Sequence, residues 1–246
     1  MHIFERGPRA SRALVLLHGI GPGGLGWEEQ LAALPRDMYV LAPDLPGFGQ
    51  SPGPFEIDKT VVELRADLDR RGVCSVDLCG FALGACVALR FALRYPGSVE
   101  HLVVCAGYAR LADDLRRSVV ELSLSLLRLP AERFRDAVAQ LMEAVGDSHR
   151  TATLQDLTSV SQAEFAAMML EAAGFDVSDS VAALHVPVLV LCGSEDRFNA
   201  TLSRRLAART PGAQLRFIPD AGHFLYLDAP AEFGAVLQGF IAVEPN

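Results

Sequence analysis

SVDLCGFALGACVALRFALRY, residues 75–95, is the stretch on which the fold turns. Its opening, SVDLC, is a short apolar run of strand length. Its second half, LGACVALRFALRY, has the length and composition of a helix. Between them Gly80 and Gly84 flank Ala82. A strand that passes straight into a helix brings backbone against backbone, so a Cβ on either flank would strike its neighbours. The central residue is then held at strained backbone angles. The free N–H groups of the new helix point outward, where they can stabilise an oxyanion. Such an elbow serves to present a reactive atom at its centre. Alanine has none.

Working outward, further apolar runs of strand length occur at ALVLLHG (13–19), MYVLAPD (38–44), VEHLVVCAG (99–107), VPVLVLCG (186–193) and AQLRFIPD (213–220). Helical spacing separates most of them. WEEQLAALP and DKTVVELRADLDRRG fall before the elbow, and the second has Gly72 as its stop. ATLSRRLAART and PAEFGAVLQGFIA fall near the end of the chain. Apolar strands alternating with helices predict an α/β fold, a mostly parallel sheet flanked by helices on both faces. The interval 110–180 breaks the rhythm. It has no strand-like run and three helical ones, LRRSVVELSLSLLRL, AERFRDAVAQLMEAV and QAEFAAMMLEAAG. The expected organisation is a core of 1–109 and 181–246 with an all-helical cap over 110–180.

In an open α/β sheet the ligand crevice lies at the carboxyl ends of the strands. Four features fall there: HGIGPGG after 13–19, the elbow at 80–84, Asp196 in CGSEDRF, and His223 in DAGHF. His223 would serve as base to whatever stands at position 82, and Asp196 would fix its tautomer. The N–H groups of Ile20 and Leu83 would hold an oxyanion, with Pro22 only shaping the loop. Taken alone, Asp196 reads more readily as a helix cap and His223 as a structural histidine. It is their combination and order, 82 then 196 then 223, that points to chemistry. His18 reads as a structural donor within its loop. His2, His101, His149 and His185 have no partner that the sequence identifies.

The blocks LVLLHGIGPGG, LAPDLPGFGQS, DLCGFALGACVALRFALRYPGSVEHLVV, PVLVLCGSEDRF and PDAGHFLYLDAPAEF together resemble those of the α/β-hydrolase superfamily over almost the whole chain. HGIGPGG with Trp27 is similar to the loop of meta-cleavage-product hydrolases, which cut carbon–carbon bonds. RLAARTPGAQLRFIPDAGHFLYLDAPAEF is nearer to enol-lactonases and small carboxylesterases. The carbon–carbon hydrolases carry tryptophan after the histidine, where this chain has Phe224. The resemblance implies a serine nucleophile at 82, a cap roofing the pocket, and hydrolysis of a small apolar ester, lactone or activated C–C ketone. Two departures stand out. Only about a dozen residues precede 13–19, so the family's leading hairpin is reduced to one strand at most. And Ala82 replaces the serine; the aspartate of dehalogenases and epoxide hydrolases is equally absent. Cys79, in the strand end, and Cys86, a turn along the helix, are poor substitutes.

Three readings of Ala82 remain open in the sequence. One is a serine hydrolase inactivated by an engineered Ser→Ala change, which removes only Oγ. Another is a natural non-acyl enzyme, lyase- or isomerase-like, with His223 as base. The third is a pseudo-hydrolase that binds a ligand without reaction.

Charge and composition bound the rest. The net charge of −8 argues against a nucleic-acid surface. No run of about 18 apolar residues predicts a membrane span, and the charged start MHIFERGPRAS is unlike a secretory leader. A cytoplasmic protein acting on a small molecule is expected. Cys74, Cys79, Cys86, Cys105 and Cys192 contain no CxxC pair and no metal-ligand spacing, so reduced thiols and no cofactor or metal are expected. Arg116, Arg117, Arg128, Arg133 and Arg135 in the helical interval read as solvated faces, with one of them available to a substrate carboxylate.

Overall fold

A computed structural model describes residues 1–21, 23–144 and 160–243. Pro22, His149 and the middle of the helical interval lie outside that description. Seven strands form one sheet: β1 (Ile3–Arg6), β2 (Arg12–Leu17), β3 (Val40–Pro43), β4 (Ser75–Phe81), β5 (Val99–Cys105), β6 (Val188–Gly193) and β7 (Gln214–Ile218). Their spatial order is β1-β3-β2-β4-β5-β6-β7. β1 pairs antiparallel with β3, and every other pairing is parallel. β1 stands at the sheet edge, before β2 in the chain.

The central strands are largely apolar because both faces are covered, with polar residues confined to their amino-terminal halves. Along β2, Ala13, Val15 and Leu17 enter one core and Leu14 and Leu16 the other. β5 and β6 divide the same way, with Leu102, Val104, Val188 and Val190 on the first face and Val103, Cys105, Leu189 and Leu191 on the second. This two-residue alternation is the pleat itself. The first face is covered by α2 (Ile57–Arg70), α3 (Leu83–Arg94) and α7 (Asn199–Arg209); the second by α1 (Glu28–Ala33), α8 (Leu225–Asp228) and α9 (Pro230–Ile241).

Between β5 and β6 stand α4 (Asp113–Leu126), α5 (Ala131–Ala144) and α6 (Gln162–Gly174). Ser161 and Glu164 close a reciprocal capping box at the start of α6. The same helix is tied to the core twice. Glu171 accepts the Ile57 N–H at the head of α2 (2.9 Å), and the Tyr108 hydroxyl donates to the Ala172 carbonyl (2.8 Å). Gln162 reaches back to the carbonyls of Leu126 and Leu129 at the end of α4.

No helix among the described residues is long and apolar enough to cross a membrane. Cys79, Cys86, Cys105 and Cys192 are buried and Cys74 is exposed, all as free thiols. Burial pushes the Cys86 and Cys192 thiols up to about 12, which makes them poor nucleophiles.

Candidate active site

β4 ends at Phe81 and α3 begins at Leu83, leaving Ala82 alone as the turn, at φ 49° and ψ −109°. That φ lies in the left-handed region, which a residue bearing a Cβ rarely enters. The flanking glycines are required by contact. A Cβ on Gly80 would sit 2.3 Å from the Gly84 carbonyl oxygen, and one on Gly84 would sit 2.4 Å from that of Leu17. The Ala82 N–H is held by the Cys105 carbonyl at 2.9 Å, so the turn hangs on the neighbouring strand.

The structure brings Ala82, Leu83, Ile20 and His223 to the wall of one cavity of about 300 Å³. Leu83 opens α3, where an N–H has no acceptor one turn back. α4, α5 and α6 contribute Leu115, Val119, Leu122, Leu141 and Met169 beside Ser118, so their share of the wall is largely apolar. The five arginines singled out in the sequence are all exposed, and none of them lines this cavity. The expectation that one would serve a substrate carboxylate there is therefore not met.

Asp196 stands behind His223. Its Oδ2 lies 2.9 Å from His223 Nδ1, with the histidine side chain 17% exposed and the carboxylate 2%. The ring thus donates inward from Nδ1 and turns its other edge toward the cavity it lines. Burial works to raise the Asp196 carboxyl, but hydrogen bonds from His223 and Asn199 outweigh it and hold the group below the usual carboxylate range. Asp196 Oδ1 also accepts the Asn199 N–H at 3.0 Å, the first residue of α7. Helix cap and imidazole partner, alternatives in the sequence, are here one carboxylate using its two oxygens.

His18 is structural. The Leu45 N–H donates to its Nε2 (2.9 Å), which leaves Nδ1–H to donate to the Gly19 carbonyl (2.7 Å). Complete burial depresses its pKa to about 4, so the ring stays neutral. Two histidines without an identified partner in the sequence have carboxylates after all: His2 on Asp44 (2.9 Å) and His101 on Asp77 (2.8 Å).

The cavity holds residues that the sequence did not single out. Ala106, after β5, is a second non-glycine at positive φ (48°) and lies in the wall. Tyr108, Phe198 and Asn199 also line it. No group of metal-binding side chains is found among the described residues.

The model of the alpha/beta hydrolase family matches residues 14–236. Among curated proteins, a 2-succinyl-6-hydroxy-2,4-cyclohexadiene-1-carboxylate synthase of Serratia proteamaculans is 29% identical, over 97% of this chain and 96% of its own length. Among solved structures, the enol-lactonase from Burkholderia xenovorans LB400 superposes with a TM-score of 0.85 at 22% identity, covering 98% of this chain and 96% of that one. A thermophilic esterase from Thermogutta terrifontis gives 0.83 at 24% identity, over 98% and 92%. These structural likenesses speak for the fold. With nearly the whole length matched by the family model, and with the elbow and the carboxyl-end crevice in place, the chain belongs to the α/β-hydrolase family.

Proposed function

We propose that this is the site of a serine-type hydrolase for a small apolar ester, lactone or activated C–C ketone, inactivated by alanine at the nucleophile position. The observation that carries the reading is the retained turn: Ala82 at φ 49° on the wall shared with His223. Strain of this kind costs about 1–3 kcal/mol and persists where a site requires the geometry. A serine at 82 would attack the substrate carbonyl, losing its proton to His223, with Asp196 stabilising the imidazolium. The N–H groups of Ile20 and Leu83 would hold the oxyanion. The imidazolium would then protonate the leaving group, and water would release the acyl product.

The described helices of the 110–180 interval, α4, α5 and α6, act as the cap, and their apolar side chains select an apolar substrate. The partner is a small molecule, not a nucleic acid or a membrane, and the site of action is cytoplasmic. With alanine at 82 no acyl-enzyme forms, because the methyl group has no lone pair to offer.

A second reading has its own support. The His223–Asp196 contact is complete without a nucleophile, and the Serratia relative is named a synthase and not a hydrolase. His223 would then take a proton directly from a bound substrate, in a lyase- or isomerase-like step. A purely ligand-binding role would need neither residue.

Ala82→Ser separates these. The serine variant, assayed on short p-nitrophenyl esters, should exceed the parent by about 10³-fold or more, since removing such a nucleophile costs up to about 10⁶. No gain would overturn the hydrolase reading. Turnover by the parent that His223→Ala abolishes would establish the second.

A further inference from the structure

We infer that Asn199 is a positioning residue that weakens the hold of His223 on its second proton; the inference rests on the reading of His223 as the base. Asn199 is 3% exposed, and a buried amide must find partners. Its backbone N–H donates to Asp196 Oδ1 (3.0 Å), a contact that any residue except proline would make. The side chain does something separate. Its Nδ2 donates to Asp196 Oδ2 at 2.8 Å and lies 3.1 Å from His223 Nδ1. The opposite amide orientation would set an oxygen against the carboxylate at that distance, so the hydrogen bonding fixes which end is nitrogen.

Asp196 Oδ2 therefore serves two donors, the imidazole and the amide. A donor to the carboxylate draws on the negative charge that would otherwise stabilise the imidazolium. The amide hydrogens also bring partial positive charge beside Nδ1, which opposes a second positive charge on the ring. Both effects favour the neutral imidazole, the form that accepts a proton. The amide locks the carboxylate in place as well, since Asn199 grips both of its oxygens.

Among the described residues, the buried Cys192 lies at the end of β6 and Asp196 in the loop after it, and Asp220 and Asp228 belong to the segment carrying His223 itself, where Asp228 accepts the Gly222 N–H. From β4 come Phe81 and Ala82; from the loop after β5 comes the Tyr108 phenol, which burial holds protonated. Among the described residues, the side chains that α4, α5 and α6 place in the cavity wall are uncharged.

The test uses Ala82→Ser as background, with kcat/KM for a p-nitrophenyl ester followed against pH. Asn199→Ala should move the acid limb to higher pH by about half a unit or more, the scale of a lost hydrogen bond to a charged group. Asn199→Thr, which keeps one donor, should move it less. An unmoved limb in both folded variants, with only the thermal midpoint lowered, would reduce Asn199 to a helix-end residue and overturn the inference. If Ala82→Ser is itself inactive, the hydrolase reading falls. The NMR titration of His223 in the Ala82 chain then decides for Asn199: a midpoint raised by Asn199→Ala supports the role, and an unchanged one overturns it.

Discussion

Two of the histidine–carboxylate contacts among the described residues, closely matched in length, lie at opposite ends of the sheet. His223 Nδ1 lies 2.9 Å from Asp196, and His101 Nδ1 lies 2.8 Å from Asp77. Their surroundings differ in every other respect. His223 lines the cavity and is 17% exposed, whereas His101 is wholly buried. Asp196 has two neutral donors, but Asp77 holds the Arg12 guanidinium through two bonds of 2.9 and 2.8 Å. His101 packs edge-on against Phe240, and its Nε2 is buried without a hydrogen-bond partner in the structure. On the proposed reading of His223 as base, then, a carboxylate behind an imidazole is not sufficient. The ring's second nitrogen needs an open side, and its carboxylate must not already be spent on a cation. The Arg12–Asp77–His101 cluster instead joins β2, β4 and β5 near their amino ends, where Asp77 and His101 are direct register partners.

The comparison breaks most visibly in a pair of alanine variants built on Ala82→Ser. His223→Ala should lower kcat/KM by about 10⁴-fold, since nucleophile and base act as a unit. His101→Ala should leave the rate within about threefold and instead cost stability of about 2–4 kcal/mol, the range for emptying a packed core site. Steady-state assays beside urea titrations read both. A folded His101→Ala variant that lost activity as deeply as His223→Ala would erase the distinction between the two ends.

His18 sharpens it, because it shares the carboxyl end with His223 yet faces inward. Its folded-state pKa is depressed to about 4 by burial, against 6.5 for the free group. The sign follows from linkage. Below 6.5 the unfolded chain takes up a proton that folded His18 refuses, so this contribution is whole above 6.5 and is lost as pH falls toward 4. The loss over that window is on the order of 3 kcal/mol. Urea midpoints at pH 7 and 4.5 should therefore diverge in the parent and converge in His18→Gln, which keeps a side-chain acceptor for the Leu45 N–H. Equal divergence in both would assign the acid sensitivity to other groups.

The sheet was legible because burial on both faces writes its central strands largely as apolar runs, and each of the six runs overlaps its strand, although β2 begins one residue earlier at Arg12 and β4 continues past SVDLC to Phe81. β1 was harder to read: IFER is four residues long, half of them charged, and lies at an edge where one side needs no cover. At the site, Ala82, Asp196 and His223 were legible from their places after strands. Asn199 was not, because a residue three beyond Asp196 reads as the ordinary start of a helix. Ala106 was not, because CAG carries no mark of a positive φ. The partners of His101 and His2 depend on strand register and loop closure across 24 and 42 residues, which spacing in one sequence does not encode.

Strain divides the two ends of the sheet as sharply as the histidines do. The non-glycine residues at positive φ among those described are Ala82, Ala106 and Asp220, which follow β4, β5 and β7 at the carboxyl end. The end holding His101 has none. Glycine at position 82 would relieve about 1–3 kcal/mol of strain and give back about 0.5–1 kcal/mol in extra freedom of the unfolded chain. Ala82→Gly should therefore stabilise the protein by about 1 kcal/mol, a rise in thermal midpoint of about 2–4 °C for a chain of this size. The expectation has a physical edge, because the Cys105 carbonyl that holds the Ala82 N–H stays in place and the turn itself is not rebuilt. A lowered midpoint would mean that the alanine methyl gains more from packing in the cavity wall than its backbone loses. The strain would then be no sign of a geometry kept for chemistry, and the carboxyl end would be distinguished from the amino end by its histidine alone.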